Sequence, residues 1–211
     1  MPAPIPKEST GFDTLSRSAA PATGFDAHIG RRLHALILRE GGSIEKLARV
    51  SGLGKKLLDA IVRSEVAPTL DVLWRIANAL GVPFGSLAAH VPQRGLFVLR
   101  NAGKKTIASP DGGLTARPLF SHDRRRRAEF YELTLAPGRA AHSEAHAPGT
   151  HENLIVAHGR IEIHAGREPP QRLDEGDAIG FDGDVPHSYR NLGASEALIY
   201  LVMTYFDPAE L

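Results

Sequence analysis

The spacing of apolar residues changes once along this chain, near Pro92, and that change divides what the chain can fold into. From Ile29 to about Ala88, apolar residues return every three or four positions, the period of helices with one buried face. Beyond Pro92 they fall in short alternating runs separated by Gly, Pro and Asp, the period of strands. With 211 residues the chain is long enough for two modest domains. The two periods predict a helical domain over residues 24–90 and an all-β domain over 91–211, joined near 91–95.

The helical stretch divides into five elements. Ile29, Leu33, Leu36 and Ile37 form one stripe, with Arg31, Arg32 and Arg39 off it, and Gly41 and Gly42 stop the helix. Ser43 is placed to cap a second helix that buries Ile44, Leu47 and Ala48. Ser51 and Gly52 form a short turn, and a third helix is expected over residues 54–63. Pro68 and Thr69 open a fourth, in which Leu70, Leu73, Ile76, Ala77 and Leu80 recur at helical spacing before Gly81 ends it. Residues 84–88 make a short fifth helix. Strands are expected at 96–99, 130–135, 154–157, 161–164, 178–181 and 197–205, a pattern that fits a closed or double-sheet β domain.

Composition narrows the chemistry. There are no cysteines, so disulfides and thiolate metal sites are excluded, and any metal must be held by His, Asp or Glu. No apolar run approaches the roughly 18–20 residues that span a bilayer, so no membrane partner is expected. Residues 1–23 lack the apolar core of a secretion signal and read as a disordered arm on a cytoplasmic protein. Residues 24–90 hold nine Lys/Arg against six Asp/Glu, a net +3, whereas 91–211 hold fourteen against sixteen, a net −2. That asymmetry suits a helical part facing nucleic acid and a strand-rich part facing something else. The basic run Arg124 to Arg127 reads as a solvated loop between strands.

The segment Leu47-Ala48-Arg49-Val50-Ser51-Gly52-Leu53 places a small Ala inside a helix crossing and a Gly in the turn, as two helices in close contact need. The stretch Pro68-Thr69-Leu70-Asp71-Val72-Leu73-Trp74-Arg75-Ile76-Ala77-Asn78-Ala79-Leu80-Gly81-Val82-Pro83 follows it. On these residues the region 28–87 resembles the repressor-like (Cro/XRE-type) helix-turn-helix family. The resemblance implies that residues 43–50 brace on the DNA backbone and that 54–63 present a reading helix to the major groove. Arg49, Lys55 and Lys56 are then the cationic candidates for DNA contact, and Asp59 could accept a hydrogen bond from cytosine.

The strand half carries a second resemblance. Pro137-Gly138 … His146-Ala147-Pro148-Gly149-Thr150-His151-Glu152 … Gly159 and Gly176-Asp177 … Pro186-His187-Ser188-Tyr189-Arg190-Asn191 are similar to the two motifs of the cupin family. The likeness implies a small jelly-roll barrel holding a ligand or metal among inward side chains. His146, Glu152 and His187 form a two-His, one-carboxylate set suited to a divalent metal (Zn, Fe, Mn or Ni). Strand alternation would place His142, Glu144 and His146 on one face, and Glu144 stands where many metal-bearing members place their first His. His151 could replace Glu152 by a register shift. An organic ligand oriented by the same groups, with no metal, is the other reading, its walls drawn from Phe130, Tyr131, Phe181 and Tyr189.

Together the two halves imply a ligand-responsive transcription regulator: a homodimer that reads double-stranded DNA with paired helices and binds a small effector or metal in its barrel. The alternative is an iron-dependent oxygenase or epoxidase with a helical accessory domain, in which His146, Glu152 and His187 hold Fe(II).

Overall fold

The structure, a computed structural model, describes residues 24–39, 42–88, 96, 98–101, 105–120 and 128–206. The N-terminal arm, the junction at 91–95 and the basic run at 124–127 lie outside the described residues.

Among the described residues five helices come first: α1 (Gly24–Arg39), α2 (Ile44–Ser51), α3 (Lys55–Val62), α4 (Leu70–Leu80) and α5 (Gly85–Ala88). The capping chemistry read from the sequence sets their ends. The Ser43 hydroxyl accepts the Lys46 amide at the start of α2, and Thr69 accepts that of Val72 at the start of α4. Gly52 and Gly81 close the same helices in the left-handed conformation, with φ of 65° and 63°, which other residues rarely adopt. Leu33, Leu58, Ile61, Leu73, Ile76 and Leu87 are fully buried between the helices. Each stabilises the fold by roughly 1.5–3 kcal/mol relative to exposure. Gly30 lets α1 lie against α3: a Cβ there would sit 2.6 Å from the Ile61 carbonyl oxygen.

Ten strands follow among the described residues: β1 (Ile107–Ala108), β2 (Leu114–Phe120), β3 (Ala128–Leu135), β4 (Ala140–Ser143), β5 (Thr150–His158), β6 (Ile161–Ala165), β7 (Gln171–Leu173), β8 (Ala178–Asp182), β9 (His187–Asn191) and β10 (Ala197–Tyr205). They form a six-stranded sheet in the order β1-β2-β3-β10-β5-β8 and a four-stranded sheet in the order β4-β9-β6-β7. Every pairing is antiparallel. The two-layer arrangement is the double-sheet solution that closes small β domains. Burial alternates residue by residue along β3 and β10, so Tyr131, Leu133, Leu135, Ile199, Leu201 and Met203 point into the sandwich.

At the expected strand 96–99 the described residues form no strand. Leu96, Val98 and Leu99 lie in irregular backbone and are exposed, Leu96 by 93%. A short apolar run has the composition of a strand but needs a neighbour to pair with, and none pairs here among the described residues. The short strands β1, β2, β4 and β7 carry too few apolar positions to show in a periodicity reading.

The two halves meet through specific contacts. Glu129, fully buried in β3, accepts hydrogen bonds from the Gly85 amide of α5 (2.7 Å), Tyr131 (2.6 Å) and Tyr205 (2.7 Å). Phe84 meets Tyr131 edge-on with centroids 5.7 Å apart. Burial is the largest influence on the Glu129 carboxyl and raises its pKa, and the three donors only partly oppose it.

Candidate functional site

Helix α3, the expected reading helix, presents its first turn outward. Lys55 and Lys56 are exposed, Asp59 is half-buried, and Arg49 is exposed on α2. Leu58 and Ile61 anchor the opposite face in the core. Lys55 is engaged within the helix pair, its Nζ 2.7 Å from Glu45 Oε1. The hydrogen bond from Lys55 is the main cause holding the Glu45 carboxyl down at about 2, with the backbone and Ser43 adding to it. Glu45 raises Lys55 in turn. Any DNA phosphate at Lys55 must therefore compete with an intramolecular carboxylate.

Behind this surface, Arg75 of α4 ties the helix pair down. Its Nε and Nη2 donate to the Ser51 carbonyl at 3.2 and 2.8 Å, at the end of α2 and next to the turn glycine. A Cβ on Gly52 would lie 2.9 Å from Arg75 Nη2, so the turn and the guanidinium are in close contact.

In the barrel, His146, Glu152 and His187 converge from three separate segments. His146 lies in the loop after β4, while Glu152 is on β5 and His187 opens β9. All three are buried, and their ligand atoms lie within 4.8 Å of one another. His146 Nε2 is 3.0 Å from Glu152 Oε1, and His187 Nε2 is 3.5 Å from the same oxygen. Tyr189 donates its hydroxyl proton to the other oxygen of Glu152. Desolvation opposes ionisation of Glu152, but the His146 hydrogen bond, both imidazoles and the Tyr189 hydroxyl outweigh it and hold its carboxyl below the usual range. Burial pushes His187 down and Tyr189 well up, so the first is neutral and the second protonated near neutral pH.

The state of His187 tests whether a metal fits. Its Nδ1 lies 2.8 Å from the Val185 carbonyl, which can only accept, so Nδ1 carries the proton. Nε2 of the neutral ring is then a bare lone pair facing a carboxylate oxygen, buried and without a hydrogen-bond partner. Two acceptors facing each other in a dry interior suit a cation between them. A ligating His whose other nitrogen donates to a backbone carbonyl is the usual second contact of metal sites. The residues fit a divalent metal.

The remaining expectations divide. Glu144 does not join the triad: β4 ends at Ser143, the alternation that would have carried Glu144 inward stops there, and its side chain is exposed. His142 is exposed too. His151 bonds Asp182 at the surface, so Glu152 and not His151 faces inward. Tyr131 and Tyr189 point inside, and Phe181 packs 5.4 Å from His187. Phe130 instead lines a groove on the other face of the six-stranded sheet with Ile155, Ile179, Tyr200 and Val202.

Trp74 was not singled out by the sequence reading. It stacks on His146 with centroids 3.9 Å apart and planes 16° from parallel, and so covers the triad from the helical side. Its only signal in the sequence is its rarity, as the one Trp of the chain.

Comparison with known proteins agrees with this architecture. Residues 33–87 match the helix-turn-helix family and residues 131–204 match the cupin domain family. The HTH-type transcriptional regulator SutR of Escherichia coli (strain K12) is 29% identical over 173 residues, covering 82% of this chain and 92% of that protein. The crystal structure of an HTH_3 family transcriptional regulator from Vibrio cholerae superimposes with a TM-score of 0.70 at 28% identity, covering 87% of this chain and 98% of that one. Hydroxypropylphosphonic acid epoxidase from S. wedmorenis gives a TM-score of 0.44 at 20% identity over 86% of this chain and 98% of its own, a likeness too slight to bear on activity.

Proposed function

Since the chain joins an XRE-type helix-turn-helix domain to a C-terminal cupin domain, we propose that it is a DNA-binding transcription regulator whose hold on DNA responds to a small molecule or metal in its cupin half. The observation that carries this reading is the contact between the halves. The helix that covers the barrel triad with Trp74 also holds the turn of the reading unit with Arg75. A change at the barrel mouth therefore meets, one residue along the same helix, the side chain that fixes the reader. Similarity to regulators over most of the chain supports the same conclusion.

Lys55, Lys56 and Arg49 make the phosphate and base-edge contacts, and Asp59 restricts the base it faces. The protein acts as a cytoplasmic homodimer, because a two-fold operator needs two reading helices about one helical turn apart. Among the described residues no helix is long and apolar enough to cross a membrane. A metal would be held by His146, Glu152 and His187 and would supply a Lewis-acid point for a ligand atom. Tyr189 orients Glu152 within that set.

The barrel acts as a sensor and not as a catalyst. The hollow inside the barrel beside His146 and Glu152, walled by Trp74, Phe84, Tyr131 and Met203, is only about 30 Å3, far below the roughly 300–1,000 Å3 of ordinary small-molecule sites. Oxygen uptake above background with Fe(II) and a small-molecule panel would contradict that assignment.

Footprinting of the DNA upstream of its own gene tests the regulator. The expected result is a protected site with two-fold related halves about 10 base pairs apart, centre to centre. Uniform protection at every salt concentration would contradict it.

A further inference from the structure

A larger hollow lies between the two halves of the molecule. A cleft of about 410 Å3 runs between α4 and the barrel mouth, within the range of about 300–1,000 Å3 typical of small-molecule sites. Leu70, Trp74 and Leu114 form its apolar walls, and Asp71, Arg75, Glu144 and His146 converge on it. Both domains contribute, so the cleft exists only while they are docked.

The polar groups define the ligand. Asp71 and Glu144 bring two carboxylates whose side chains have no hydrogen-bond or ion-pair partner among the described residues. His146 borders the cleft behind Trp74, with its ring covered by the indole. The two carboxylates suit an ammonium group. Arg75 is the one cation of the lining, and its bonds to Ser51 use Nε and Nη2, leaving Nη1 for an anion. A guanidinium and two carboxylates lining one cleft, with an apolar wall beside them, match a molecule that carries both charges on a short frame.

We propose that this cleft binds a small zwitterion of the α-amino-acid class. Its ammonium lies between Asp71 and Glu144, its carboxylate meets Arg75, and its side chain rests against Leu70 and Leu114. This names the effector of the regulator proposed above and rests on that reading for its consequence, though not for the binding itself. Drawing Arg75 toward a carboxylate alters its grip on Ser51, and with it the α2–α3 turn.

Thermal unfolding of the full chain, with each common L-amino acid in turn, tests the proposal. At least one should raise Tm by roughly 5 °C at about a hundredfold excess over its Kd. Its decarboxylated amine and its N-acetyl form should not. Asp71→Asn with Glu144→Gln should abolish the rise, and Glu144→Asp should keep most of it. Three results would overturn the proposal: no amino acid raises Tm, the bare amine works as well, or the double variant responds like the wild type. Should the double variant unfold, Glu144→Gln alone, at an exposed side chain, must weaken the response. DNA affinity is read separately: an amino acid that stabilises a protein unable to bind its upstream DNA leaves the cleft standing and removes the regulator.

Discussion

Trp74 of the fourth helix lies flat on His146 at the barrel mouth, 3.9 Å between ring centroids, with Phe84 4.3 Å from the same indole. One helix thus seals the triad with one side chain and braces the reading turn with the next. Trp74→Ala should remove this seal and cost about 3 kcal/mol of stability in urea unfolding, since it leaves a hollow between two domains. Trp74→Phe should keep most of it. Equal loss from both variants would show that an aromatic ring at this position does not restore the seal.

The triad makes a prediction about metal. Protein purified without chelator should carry a divalent ion, and His187→Ala should lower its affinity by at least about tenfold, as even loss of a second-shell partner does. Because the sole Trp stacks on His146, an open-shell ion such as Ni(II) should quench its fluorescence in the wild type and not in His187→Ala. Unchanged metal content in the variant would exclude this ligand set.

On the DNA side, Lys56→Ala should weaken binding across sequences and reduce the salt slope by about 1. Glu45→Gln should act the other way. It frees Lys55 from its intramolecular partner and should raise DNA affinity roughly two- to fivefold at low salt, with the gain fading as salt screens the pair. Anisotropy titrations at several salt concentrations check both.

Glu129 links stability to pH. Its folded-state pKa is raised by burial, so folding favours the protonated form. Its contribution is complete below the ordinary carboxylate range and is lost as pH rises through the raised value. Glu129→Gln stays neutral and can still accept from the Gly85 amide. The stability of the wild type relative to this variant should therefore fall in urea unfolding as pH rises above the ordinary carboxylate range. A constant difference would mean that Glu129 is not perturbed.

Much of this was legible in the sequence, for identifiable reasons. Ser43, Gly52, Thr69 and Gly81 end helices through local chemistry, which a linear reading captures. His146, Glu152 and His187 stand out because they belong to the two cupin-like motifs, whose likeness implies inward side chains there. Glu144 was misplaced because alternation was carried past the end of β4, and the run at 96–99 because composition does not supply a pairing partner. Trp74 and Glu129 went unnoticed because their roles depend on how the two domains dock, with partners 72 and 44 residues away, and Arg75 because its partner lies 24 residues away across the helical packing.

The affinity of the protein for a labelled fragment of its own upstream DNA, against a scrambled fragment of equal length and composition, tests the account most directly. A regulator of this kind should prefer its own fragment by about 10³-fold or more at physiological salt. Equal affinity for both fragments, lost in parallel as salt rises, would contradict it.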